Sequence, residues 1–158
     1  MSVAAEVHRA LLARGETIST AESMTAGLLG AALTQTAGAS ATYRGGVIVY
    51  ATDLKSRLIG VDPELLAARG AVDPEVAAAL ARGVRERLSS TWGVGLTGVA
   101  GPDRQDGTAV GTVFIAVAGP DGTPHASAYR FDGDRAEIRS AAVDAALNCI
   151  NDVVGERE

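Results

Sequence analysis

The chain is poor in the residues from which many hydrolytic and redox centres are assembled. Among its 158 residues there is one cysteine and two histidines. The lone Cys149 excludes an internal disulfide and a cysteine-ligated metal, and no metal centre is expected. Without a disulfide framework the expected compartment is the cytoplasm. His8 falls in an expected amphipathic helix and His125 beside an expected turn, so neither is placed for a Ser-His-Asp triad. No run approaches the roughly 18 apolar residues of a membrane span, and Met1 to Arg14 alternates apolar and charged residues instead of presenting a signal-peptide core. Excess positive charge is missing too: 14 Lys+Arg against 19 Asp+Glu leave a net charge of −5. That balance gives no electrostatic footprint for nucleic acid, so direct contact with DNA or RNA is not expected.

The scarcity of lysine carries the most chemistry. Lys55 is the only one, against thirteen arginines. An arginine cannot surrender its proton in a protein, whereas a desolvated lysine can. Thr52-Asp53-Leu54-Lys55 opens a short helix that Gly60 stops, with Thr52 as the expected N-cap. Lys55 then falls in the first turn, where the helix dipole disfavours a positive charge.

What the chain does contain is enough apolar material, 47% against 21% charged, for one domain over residues 1–158 with a sizeable core. Val3 to Arg14 reads as a helix with Gly15 as its left-handed stop, and Thr17 to Thr20 as a strand. Ser23 and Thr25 then occupy expected N-cap positions of a second helix running to about Ala37. Such a strand-to-helix turn places hydroxyls beside unpaired backbone amides, which is half of an acyl-transfer site. Gly45-Gly46-Val47-Ile48-Val49-Tyr50 is so continuously apolar that a central strand is expected, with the double glycine marking close approach of a backbone or ligand.

Asp62-Pro63 and Asp73-Pro74 each pair an N-cap with proline at the first helical position. Gly93 to Leu96 reads as a strand entering the glycine turn Thr97-Gly98-Val99-Ala100-Gly101, which lacks the spacing of a P-loop or a dinucleotide fingerprint. Val110 to Ala118 and Ser127 to Phe131 form an expected hairpin around Pro120-Asp121-Gly122. Asp134 and Glu137 stand at capping-box spacing at the head of a last helix ending near Val154, with a frayed tail from Gly155 to Glu158. Arg135 and Arg139 are one turn apart on that helix and are candidates for an anion clamp. The fold class is α/β: a three-layer α/β/α arrangement with a mostly parallel mixed sheet of about five strands, one of them antiparallel. Its ligand site is expected beyond the carboxyl ends of the strands, where Ser23, Tyr50, Lys55 and the Thr97 to Gly101 turn converge.

These motifs, in this order, resemble the C-terminal domain of the competence/damage-inducible CinA proteins, a domain that also occurs alone as nicotinamide mononucleotide deamidase. The resemblance rests on Thr20-Ala21-Glu22-Ser23-x-Thr25, Gly45-Gly46-Val47-x-x-Tyr50 with Lys55, Gly70-Ala71-Val72, Thr97 to Pro102, Val110 to Val113, and Phe131-x-Gly133-Asp134-Arg135. It covers nearly the whole chain. It departs at Met24, where cysteine is frequent, at Ala26, where glycine is frequent, and in a short Asp103 to Ala109 loop lacking a frequent lysine.

The resemblance implies hydrolysis of the carboxamide of nicotinamide mononucleotide through an acyl-enzyme, without a cofactor, by a Ser23–Lys55 dyad. Tyr50 is an expected proton donor. Thr25, Gly27, Gly46, Thr97, Gly98, Gly101, Arg135 and Arg139 are expected around the substrate, with oxyanion donors at the start of the second helix and in the Thr97-Gly98 turn. It also implies a homo-oligomer, with a dimer expected. Three alternatives stay open at this stage: a non-catalytic nucleotide-binding or accessory module, an amidase for another small amide, and Thr52 or Thr97 as nucleophile in place of Ser23.

Overall fold

Local sequence chemistry sets most of the helices in the computed structural model, which describes residues 1–156. Ser2 caps α1 (Val3–Arg14), and Gly15 ends it with φ 65°. Gly60, at φ 84°, ends α3 (Thr52–Ile59). The Asp62 and Asp73 carboxylates accept the amides of Glu64 and Glu75, opening α4 (Pro63–Arg69) and α5 (Pro74–Arg87). Asp134 and Glu137 close a reciprocal capping box on α6 (Arg135–Gly155). The expected tail therefore begins as helix, and Arg157 and Glu158 lie outside the described residues.

Five strands form one sheet in the order β2-β1-β3-β4-β5: β1 (Ile18–Glu22), β2 (Tyr43–Ile48), β3 (Trp92–Gly98), β4 (Thr112–Ala118) and β5 (Pro124–Arg130). β1 runs parallel to β2 and β3, and β4 is antiparallel to both β3 and β5. One strand is thus reversed, as expected. Helices α1 and α6, with the short α2 (Leu28–Leu33), cover one face; α5, with α3 and α4, covers the other. β3 is buried along its whole length. At Gly93 and Gly95 a Cβ would run into the carbonyls of Ala81 and Ala77, so these two glycines let α5 lie directly on β3.

Two sequence expectations change. The Gly45–Tyr50 segment is not central. It belongs to the edge strand β2, whose residues alternate between half-buried and exposed, with Ile48 51% exposed. The apolar run conceals an ordinary period of two. The second helix is also shorter than expected and is not capped by Ser23 or Thr25. Its N-cap is Gly27, at φ 97°. The capping role passes to the Glu22 carboxylate at the end of β1, which accepts the amides of Gly27, Leu29 and Gly30.

Candidate active site

The carboxyl ends of β1 and β3, the segment after β2 and the head of α6 enclose a cleft of about 410 Å³, within the usual range for small-molecule sites. Ser23 and Met24 line it from the end of β1, Tyr50 from the segment after β2, Gly98 from the end of β3 and Val99 to Gln105 from the loop beyond it. Arg135 lines it from the first residue of α6.

Lys55 lies directly behind Ser23. Its Nζ is 3.0 Å from Ser23 Oγ, 2.7 Å from the Val49 carbonyl oxygen and 3.3 Å from that of Tyr50. The side chain is 1% exposed, and among the described residues no carboxylate pairs with it. Removal from water lowers its pKa from 10.5 to about 8, because burial penalises the charged form. A conditionally neutral amine against a serine hydroxyl has the chemistry to accept that hydroxyl's proton.

Tyr50 connects this dyad to the cleft rim. Its carbonyl contacts Lys55, and its hydroxyl accepts a 2.9 Å bond from the Arg135 guanidinium. The other terminal nitrogen of Arg135 donates to the Gly101 carbonyl at 2.6 Å. Three of the five guanidinium N–H donors are left for a ligand. Arg104 is the second cationic side chain lining the cleft, opposite in sign to its neighbour Asp103.

The structure brings Ser23, Lys55, Tyr50, Gly98, Gly101 and Arg135 together, turns the side chain of Thr25 away from them, and places the other expected residues elsewhere. Thr25 is buried and donates its hydroxyl to Glu22 at 2.6 Å. Gly27 begins α2 against Ile48. Gly46 lies on the edge strand, where a Cβ would come within 2.5 Å of the Thr20 and Tyr43 hydroxyls, so its close approach is to side chains. Thr97 and Gly98 are not a turn but the paired end of β3, and the Thr97 hydroxyl donates to the Ala71 carbonyl at 2.8 Å. Thr52 is exposed at the head of α3, while the Lys55 amine it was expected to rival for faces Ser23. His8 Nδ1 pairs with the Thr42 hydroxyl at 2.7 Å, and His125 lies exposed on β5.

Arg139 does not line the cleft. It spends its guanidinium on two carbonyls of the nucleophile turn, Met24 at 2.9 Å and Thr25 at 3.4 Å. Glu22 is a site residue that its sequence pattern did not reveal. It is 2% exposed and, besides three amides, accepts the hydroxyls of Thr25 and Thr20. A glutamate at the last position of the strand, directly before the serine, was the available signal. No helix among the described residues is long and apolar enough to cross a membrane.

Comparison with known proteins identifies the family and agrees with the fold. The family profile described as CinA C-terminal domain matches residues 1–154. A CinA-like protein of Frankia casuarinae is 51% identical over 140 residues, covering 89% of this chain and 32% of its own length. A CinA-like protein of Anaeromyxobacter sp. (strain K) is 49% identical over 143 residues, covering 89% and 34%. The chain therefore spans about a third of the length of these curated relatives. Among solved structures, the competence damage-inducible protein A of Klebsiella pneumoniae subsp. pneumoniae matches with a TM-score of 0.94 at 32% identity, covering 99% of this chain and 97% of that one. The competence/damage inducible protein CihA of Agrobacterium tumefaciens matches with a TM-score of 0.88 at 34% identity, covering 98% and 97%. The chain belongs to the CinA C-terminal domain family.

Proposed function

We propose that the chain is an amidohydrolase that converts nicotinamide mononucleotide to nicotinate mononucleotide and ammonia through a Ser23 acyl-enzyme. The observation that carries this is the buried contact between Lys55 Nζ and Ser23 Oγ at the wall of a cleft. Neutral Lys55 takes the serine proton as Oγ bonds to the carboxamide carbon. Collapse of the tetrahedral intermediate breaks the C–N bond, and the proton held by Lys55, passed directly or relayed through the Tyr50 hydroxyl, leaves with ammonia, so that Lys55 is neutral again. Water then attacks the ester with Lys55 again as base, freeing the carboxylate and Ser23.

The choice of a mononucleotide is supported by the family resemblance and by the rim. Arg135 keeps unspent guanidinium donors beside Tyr50, and Arg104 adds a second cation on the same cleft. A phosphate dianion suits two such groups. Arg139 has no part in this, since its donors face the carbonyls of Met24 and Thr25.

The test is ammonia release from nicotinamide mononucleotide, with Ser23→Ala in parallel. Release by the wild type and its loss in the variant are expected. A folded wild type that binds the mononucleotide without turnover would overturn the assignment in favour of a binding module.

A further inference from the structure

A serine nucleophile needs donors for the negative charge that builds on the oxygen of the group it attacks. The head of α2 is the conventional source, but it is already spent: Glu22 accepts the amides of Gly27 at 3.2 Å, Leu29 at 2.9 Å and Gly30 at 3.0 Å. In the turn before it, the amides of Ser23, Ala26 and Leu28 are committed to the carbonyls of Leu96, Ser23 and Thr25. The amides of Met24 and Thr25 have no partner among the described residues, although these residues are only 4% and 0% exposed. A buried amide without an acceptor is rare and costs about 1–3 kcal/mol. Two in succession, immediately after a serine, call for an acceptor that arrives with the substrate.

Their direction is fixed by what holds the preceding carbonyls. The Ser23 carbonyl accepts the Ala26 amide at 3.1 Å, and the Met24 carbonyl accepts Arg139 Nε at 2.9 Å. In a trans peptide the C=O and N–H point to opposite sides. Each tethered carbonyl therefore turns the next amide, of Met24 and then of Thr25, away from its tether. Glu22 completes the brace by holding the Thr25 hydroxyl and the residues that follow. One buried carboxylate fixes donors of the turn, and one guanidinium fixes its acceptors.

We infer that the amides of Met24 and Thr25 form the oxyanion hole for Ser23, and that Arg139 and Glu22 are the positioning residues that present them. This rests on the assignment of Ser23 as an acyl-transfer nucleophile and is independent of which amide is the substrate. The amides of Ala100 and Gly101 also lack partners among the described residues. That loop is tied to Arg135 and not to Arg139, so an Arg139 variant separates the two sets of donors.

The experiment measures Ser23 phosphonylation by a fluorophosphonate in wild type, Arg139→Leu and Arg139→Lys. Oγ forms a bond to phosphorus, fluoride departs, the serine proton passes to Lys55, and charge builds on the phosphoryl oxygen in the same hole. In Arg139→Leu the labelling rate and kcat for nicotinamide mononucleotide should fall together, by about 10- to 100-fold, with KM and product affinity within about twofold of wild type. Arg139→Lys should recover part of the loss. Replacing Thr25 by its α-hydroxy acid, which exchanges that one N–H for oxygen, should reproduce the loss with Arg139 intact. Unchanged labelling in a folded Arg139→Leu or Thr25 ester protein, or product affinity falling in step with kcat, overturns the inference. A wild type labelled at Ser23 that leaves the mononucleotide intact refutes the substrate while supporting the hole, provided the variants lose labelling. A wild type that is not labelled overturns the hole.

Discussion

Lys55 Nζ and Ser23 Oγ are 3.0 Å apart, and the other two contacts of the amine are carbonyl oxygens, of Val49 and Tyr50. Carbonyls only accept, so two of its N–H groups are assigned in either charge state. A charged Lys55 gives its third proton to Ser23, and a neutral one turns its lone pair to the Ser23 hydroxyl. The same geometry thus accommodates the charged and the neutral amine.

The pH dependence of activity follows. Burial lowers the Lys55 pKa to about 8, and in the proposed mechanism the base is the neutral amine. kcat/KM for the mononucleotide should rise with pH and reach half its plateau near about 8, with about a tenth of the enzyme competent at pH 7. Lys55→Arg keeps a permanent charge and should lose about 10³-fold or more. A profile flat from pH 6 to 9, or an active arginine variant, would remove Lys55 from the role of base.

The same shift has a stability consequence with a definite sign. The folded pKa, about 8, lies below the reference 10.5, so between those values the unfolded chain binds more protons and stability rises with pH. The cost of burying the charge is fully present below pH 8 and gone above 10.5. Relative to Lys55→Met, which cannot titrate, wild type should gain about 3 kcal/mol across that window in urea unfolding. A difference independent of pH would mean that the buried amine keeps its ordinary pKa and stays charged at neutral pH.

Much of this fold was legible because its signals are local. Asp62-Pro63, Asp73-Pro74 and the Asp134–Glu137 box open helices through contacts two or three residues long. The single lysine drew attention by scarcity, and its amine lies against Ser23. The edge position of β2 was not legible, because strand order is settled by long-range pairing and an apolar run hides its alternation. Glu22 escaped for a different reason. Its partners are near in sequence, at positions 25 to 30, but they meet it only through a turn that propensity does not describe. Arg139 was read as a free cation because the carbonyls it holds are more than a hundred residues away.

The rim arginines make a prediction about selectivity. Arg135→Ala and Arg104→Ala should each raise KM for nicotinamide mononucleotide, by about tenfold for a lost charge-assisted contact. Turnover of the riboside, which lacks the phosphate, should be unchanged by Arg104→Ala. Arg135→Ala should affect the riboside modestly, since it also releases the Tyr50 hydroxyl. Equal losses on both substrates would move the phosphate away from these two residues.

Ala26 supplies the last test, in the turn that follows Ser23. It is a non-glycine residue at φ 47°, and the left-handed region costs an alanine about 1–2 kcal/mol. Its methyl group is exposed, so glycine would forfeit no packing there. Against the relieved strain stands the extra freedom of glycine in the unfolded chain, about 0.5–1 kcal/mol. Ala26→Gly should therefore stabilise the protein by about 0.5–1 kcal/mol in urea unfolding. The turn is held from both sides by Glu22 and Arg139, so kcat should not fall with the change. Increased stability with reduced kcat would show that alanine at this position stiffens the turn for catalysis and that its strain is functional.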